Sequence, residues 1–138
     1  MGKADFIFVR MEKKGEVWEG ALADYWFDED QVLHAVSKAA PRTVDAVQKN
    51  FDLVNSIIHN KKVCVILDVT HTKPYSVSAM RHLLAEFSYA YKAIGFVARS
   101  PIGLLVANLA KELNPPNGAP VEVFDNTPDA KAWIKEHL

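Results

Sequence analysis

The chain has 138 residues, 16 Lys and Arg against 17 Asp and Glu, a formal net charge of −1 and 49% hydrophobic residues. That length is one ordinary domain, expected to span residues 1–138. The apolar content excludes a disordered chain. The balanced charge excludes a generic phosphate-tracking nucleic-acid binder, and the single cysteine excludes a disulfide scaffold.

Met1-Gly2-Lys3-Ala4-Asp5 shows no basic segment leading into an apolar core, so no signal peptide is expected. The most membrane-like stretch, Ala93 to Ala110, is broken by Arg99 and Pro101 and carries Asn108. It reads as a buried strand followed by a core helix, not a membrane span. Cys64 lies inside Val63-Cys64-Val65-Ile66-Leu67, where cysteine behaves as a small hydrophobe. A cytoplasmic location follows as the expectation.

Phe6-Ile7-Phe8-Val9 reads as a short strand, closed by Glu12-Lys13-Lys14-Gly15. Val17 to Phe27 is aromatic-rich and strand-like, with Tyr25 and Phe27 on one face and Trp26 on the other. Asp28-Glu29-Asp30 reads as a solvated turn without calcium-loop spacing. Gln31 to Ser37 is then a strand with Val32, His34 and Val36 on one face and Leu33 and Ala35 on the other. Together these residues suggest an N-terminal β arm over about 5–29 and a hairpin. An aromatic arm of this kind suits a homodimer contact.

Thr43 caps a helix marked by Val44, Val47, Phe51, Val54 and Ile58. Val63 to Val69 is apolar on both faces, the pattern of a covered central strand. Thr70 to Tyr75 is a loop, and Val77, Met80, Leu84, Phe87 and Tyr91 mark a second helix. Ile94 to Ala98 is a second core strand. Ser100-Pro101 opens a third helix lined by Ile102, Leu105, Leu109 and Leu113 and stopped at Asn114-Pro115-Pro116-Asn117-Gly118. Val121 to Phe124 is the last strand, and Thr127-Pro128 opens a terminal helix anchored by Trp133 and Ile134. This order predicts an α/β fold: a mixed, mostly parallel β-sheet flanked by about four helices on both faces.

In such a fold the strand-to-helix loops share the carboxyl edge of the sheet, where ligands bind and helix amino-termini favour anions. The polar groups expected there are Asp68, Thr70, His71, Lys73, Tyr75, Ser76, Ser78, Arg99, Ser100, Asp125 and Asn126. Ser76, Ser78, Ser100 and Thr127 also read as helix caps. No glycine-rich phosphate loop, nucleophile elbow or HExxH pair occurs, so no cofactor and no metal is expected. Asp68, His71 and His82 form a loose acid–base trio, read as solvated polar residues.

The run Val63-Cys64-Val65-Ile66-Leu67-Asp68-Val69-Thr70, followed by Ser76-Val77-Ser78-Ala79-Met80, resembles the central stretch of STAS domains, the SpoIIAA-like family of anti-sigma factor antagonists. The likeness continues through Ala93-Ile94-Gly95-Phe96-Val97, Val123-Phe124 and Ala130-Lys131-Ala132-Trp133-Ile134, similar to small bacterial STAS/SEC14-type proteins. It implies a SpoIIAA-like fold and a regulatory protein-interaction module without enzymatic activity, its partner face running from Thr70 to Ser78. By position it implies phosphorylation at Ser78. Ser76, Val77 and Ala79 stand where that family has an acid, its first serine and a glycine. The SEC14 side implies binding of a small apolar or lipid-like ligand instead. An enzyme using His71 with Asp68 is the third reading.

Overall fold

The computed structural model describes residues 15–138, and the expected Phe6–Val9 strand lies outside the described residues. The strand-like stretch from Val17 to Phe27 is two strands, β1 (Trp18–Glu19) and β2 (Ala23–Phe27), folded back on each other. Gly20 makes that reversal possible: a Cβ there would sit 2.8 Å from the Ala23 carbonyl and from Leu53. β3 (Leu33–Ser37) pairs antiparallel with β2. Strand alternation holds: Tyr25, Leu33 and Ala35 enter the larger core, and Val32 enters a second core on the opposite face. Trp26 is buried and stacks on His34, with ring centroids 5.4 Å apart.

The turn between β2 and β3 is not simply solvated. Asp28 Oδ1 accepts the backbone N–H of Asp30 at 2.9 Å and of Val32 at 3.1 Å. Its Oδ2 lies 2.8 Å from His34 Nε2 and accepts from Lys131 Nζ at 2.6 Å. Lys131 also reaches Asp30 at 2.9 Å. Burial would raise the Asp28 pKa, but the His34, Lys131 and Val32 hydrogen bonds outweigh it and hold the carboxyl well below the usual range.

From β3 onward the chain alternates: α1 (Val44–Ile58), β4 (Val63–Asp68), α2 (Val77–Ala90), β5 (Tyr91–Val97), α3 (Pro101–Leu113), β6 (Val121–Phe124) and α4 (Thr127–Ile134), then a 3₁₀ turn, Lys135–His137. Thr43, Ser76 and Ser100 cap α1, α2 and α3 by accepting from the third residue onward. Ser78 sits in the first turn of α2, not at its cap. Asn126, not Thr127, caps α4, its Oδ1 accepting from Asp129 at 2.8 Å. Tyr91 belongs to β5, which follows α2 without a loop.

Sheet order is β1-β2-β3-β4-β5-β6, with β3 to β6 parallel. Right-handed crossovers that all step the same way put their helices on one face. Accordingly α1, α2 and α3 share the larger core, and among the described residues α4 alone covers the other face through Ala130 and Ile134. Helices do lie on both faces, three to one among the described residues. Cys64 is buried under α4, and burial pushes its thiol pKa up.

The expected α3 lining is displaced around the helix. Gly103, Val106, Ala107 and Ala110 are buried, whereas Ile102, Leu105 and Leu113 are exposed and Leu109 is only partly covered. Small residues win the inner face because α3 runs close to the sheet: a Cβ on Gly103 would lie 2.5 Å from the Val69 carbonyl oxygen. Val44 and Val77 are also exposed, each being the first residue of its helix.

Asp28→Asn is expected to cost about 2–3 kcal/mol in urea unfolding at pH 7, since charge-assisted bonds from β3 and α4 are lost. The low folded pKa means this contribution is present above the ordinary aspartate range and disappears as pH falls through the folded value. The gap between variant and parent therefore closes in acid.

Candidate functional site

Strands β3 to β6 end at one edge, and the side chains collected there bond chiefly to one another. Arg99 Nη2 donates to Asp68 Oδ2 at 3.0 Å, and the Thr70 N–H donates to Asp68 Oδ1 at 3.0 Å. The Arg99 N–H reaches Thr70 Oγ1 at 3.2 Å, and Ser100 Oγ donates to the Thr70 carbonyl at 2.6 Å. These bonds lash the end of β4 to the start of α3. His71, Lys73, Ser76 and Ser78 lie exposed beside them. Asn126 donates to Asp125 and Asp129, a local cap cluster. The acid–base trio is not assembled: Asp68 is held by Arg99, while His82 Nε2 lies 2.8 Å from Gln48 Oε1 and 2.8 Å from Glu86 Oε1. Edge crevices form where strand order reverses and successive helices part to opposite faces. Order does not reverse between β3 and β6, so this edge is a bonded rim.

The concave feature lies behind the rim, between α1, α2 and the sheet. A partly open cavity of about 60 Å³ lies there, room for several water-sized atoms. Its wall is largely apolar, including Ala35, Val47, Val54, Phe87 and Phe96. Set into that wall are Tyr25, Arg42, Asn50, Tyr75, Glu86 and Tyr91.

Arg42 is 6% exposed. Its Nη1 donates to the Leu22 carbonyl at 3.1 Å and its Nη2 to the Lys38 carbonyl, while Nε has no partner. Its guanidinium carbon lies 5.7 Å from the Tyr75 ring centroid, and a parallel bridge joins the two backbones. Among the described residues no carboxylate pairs with it. Burial lowers its pKa, opposed by Tyr75 and Tyr25. Asn50 Nδ2 donates to the Tyr25 hydroxyl at 2.6 Å, and Asn50 Oδ1 has no partner. Burial pushes the Tyr25, Tyr75 and Tyr91 phenols up, so all three stay neutral at physiological pH.

Glu86 is buried on α2, and its carboxyl is pushed up to about 7, first by burial and then by Asp52. Its position is legible in the sequence: Glu86 follows Ala79 by seven residues and Leu83 by three, in line with the buried face. Arg42 leaves no such signal. It stands in a loop, and only the non-local bridge to Tyr75 brings it to the cavity. Among the described residues no three His, Cys, Asp or Glu side chains could together hold a metal ion, and no helix is long and apolar enough to cross a membrane.

A raised folded-state carboxyl keeps its proton where the unfolded chain has lost it. Glu86 therefore makes stability fall as pH rises from about 4.5 to about 7. Glu86→Gln is expected to flatten that part of the profile, shrinking the drop in Tm between pH 5 and pH 8 by several degrees. An unchanged drop in a pH series of calorimetric scans places the titration elsewhere.

The chain matches a family model described as a domain of unknown function, DUF7793, over residues 25–138. Its fold is similar to the crystal structure of an uncharacterised DUF3478-family protein with a SpoIIAA-like fold from Shewanella loihica PV-4. The two are 16% identical, with a TM-score of 0.55 over 87% of this chain and 98% of that one. No curated protein matches the chain. The SpoIIAA-like architecture is thus shared with a solved structure, and by its family match the chain belongs to DUF7793.

Proposed function

We propose that this chain is a non-catalytic regulatory module that binds another protein through the carboxyl edge of its sheet and the outer flank of α3. The observation that carries this reading is the apolar row left outside the core. Leu105 is 60% exposed, and Ile102 and Leu113 stand on the same flank of α3. At the start of α2, Val77 is 61% exposed. Solvent-facing leucines at helical spacing are costly unless a partner covers them.

Between α2 and α3 runs an open groove of about 280 Å³, bounded by Arg81, Leu84, Ala85, Ser88, Leu113 and Pro115. Exposed cations stand around these apolar positions: Lys73 at the edge and Arg81 along the groove. The complementary partner is a protein offering an apolar ridge with an acidic rim. Ser78, exposed in the first turn of α2, fits regulation of that contact. A phosphate there meets the positive end of the helix and reverses the charge of the rim. The bonded rim supports a binding role over catalysis, since Asp68 is neutralised by Arg99.

Affinity capture from a lysate of the source cells, run beside Leu105→Glu, tests the reading. A protein retained by the parent and lost with the variant, whose Tm stays within about 2 °C of the parent because the site is exposed, is the expected result. Equal capture by both chains, or none by either, overturns it.

A further inference from the structure

We propose that the cavity between α1, α2 and the sheet is a binding site for a small monocarboxylate with an apolar body, anchored by the Arg42 guanidinium and the Tyr25 hydroxyl. This site takes up the small-ligand reading of the chain and stands independently of the protein-interaction reading.

Three observations meet there. The first is the space itself, about 60 Å³ and mostly apolar, which accepts a short-chain carboxylate of about five heavy atoms. The second is a buried cation with no carboxylate paired to it among the described residues. Arg42 is fixed by two backbone carbonyls, and its Nε–H is unpartnered. A guanidinium in a low-dielectric wall attracts an anion more strongly than it would in water, and its planar donors suit a carboxylate. The third is a neutral donor beside it. The Tyr25 hydroxyl accepts from Asn50 and so keeps its own proton to give. Arg42 and Tyr25 line the same cavity and are close enough to bias each other's ionisation.

The acids in the wall do not satisfy Arg42. Asp68 is paired with Arg99 at 3.0 Å, and Glu86 lies 2.8 Å from His82. Asn50 Oδ1, also unpartnered, offers an acceptor to a ligand that carries a hydroxyl or amino group besides its carboxylate.

The test compares propionate with 1-propanol, which keeps the apolar body and removes the charge. Binding is followed by amide chemical-shift changes and by calorimetric titration. Propionate is expected to shift residues of the cavity wall and to bind at least tenfold more tightly than 1-propanol. Ala35→Val, which fills the cavity from β3, is expected to abolish binding of both without loss of fold. Arg42→Gln is expected to remove the preference for the acid. Where that variant fails to fold, the acid-to-alcohol ratio of the parent decides alone. Equal affinity for the two probes overturns the anion anchor. Shifts confined to residues outside the cavity, or no shift with either probe, overturn the site.

Discussion

The constraint on which the rest of this molecule depends is the pairing of β4 with β5, two parallel strands apolar on both faces. Val65 and Ile94 face one core, Cys64 and Ala93 the other, and all four are buried. A parallel pair of this kind is stable only when both faces are covered. Strand order then dictates how. Each step from β3 to β6 moves to the next neighbour in the same direction, so each right-handed crossover delivers its helix to the same side. The opposite face is left to whatever follows β6. Among the described residues α4 with its short 3₁₀ extension covers it, pinned by Lys131 to Asp28 and Asp30.

That asymmetry locates the polar chemistry. On the thin side, a single short helix lies against the strands, and Ala130 packs close enough that a Cβ on Gly95 would stand 3.6 Å away. On the thick side, α1 and α2 must span the broad middle of the sheet, and their side chains do not fill the space between them. Glycine and alanine let α3 sit close, so the gap falls under α1 and α2. Arg42 reaches into that gap because its loop crosses the mouth of the β4–α2 loop, where it meets Tyr75.

Much of the fold was legible because caps and periodicity are local. Thr43, Ser76 and Ser100 mark helix starts through one side-chain oxygen and the N–H three residues onward, and no tertiary contact is needed. The errors have a common source. Periodicity shows that α3 has an apolar stripe but not which flank the sheet will take. Ile102, Leu105, Leu109 and Leu113 form the more hydrophobic row, yet close approach to the Val69 carbonyl selects the row with Gly103 and the alanines. The short β1–β2 reversal was hidden because its pairing of Trp18 with Tyr25 is a property of two segments, not of either alone. The rim residues were findable from topology. The cavity was not, since an unfilled space is the difference between side-chain volumes that meet only in three dimensions.

Stability alone does not account for Arg42. Among the described residues no carboxylate pairs with this buried guanidinium, and its two carbonyl bonds offset the desolvation cost only in part. An apolar side chain of similar length would fill part of the cavity and avoid that cost, and the Leu22 and Lys38 carbonyls would then lose one donor each. Neither carbonyl is a charge, so their loss is the smaller term. The guanidinium is thus held by backbone contacts at the cavity wall, and among the described residues its Nε–H has no partner. Rigid, pre-formed donors of this kind lower the cost of ordering when an anion arrives. The rim offers the opposite arrangement, with Asp68, Thr70, Arg99 and Ser100 already bonded to one another.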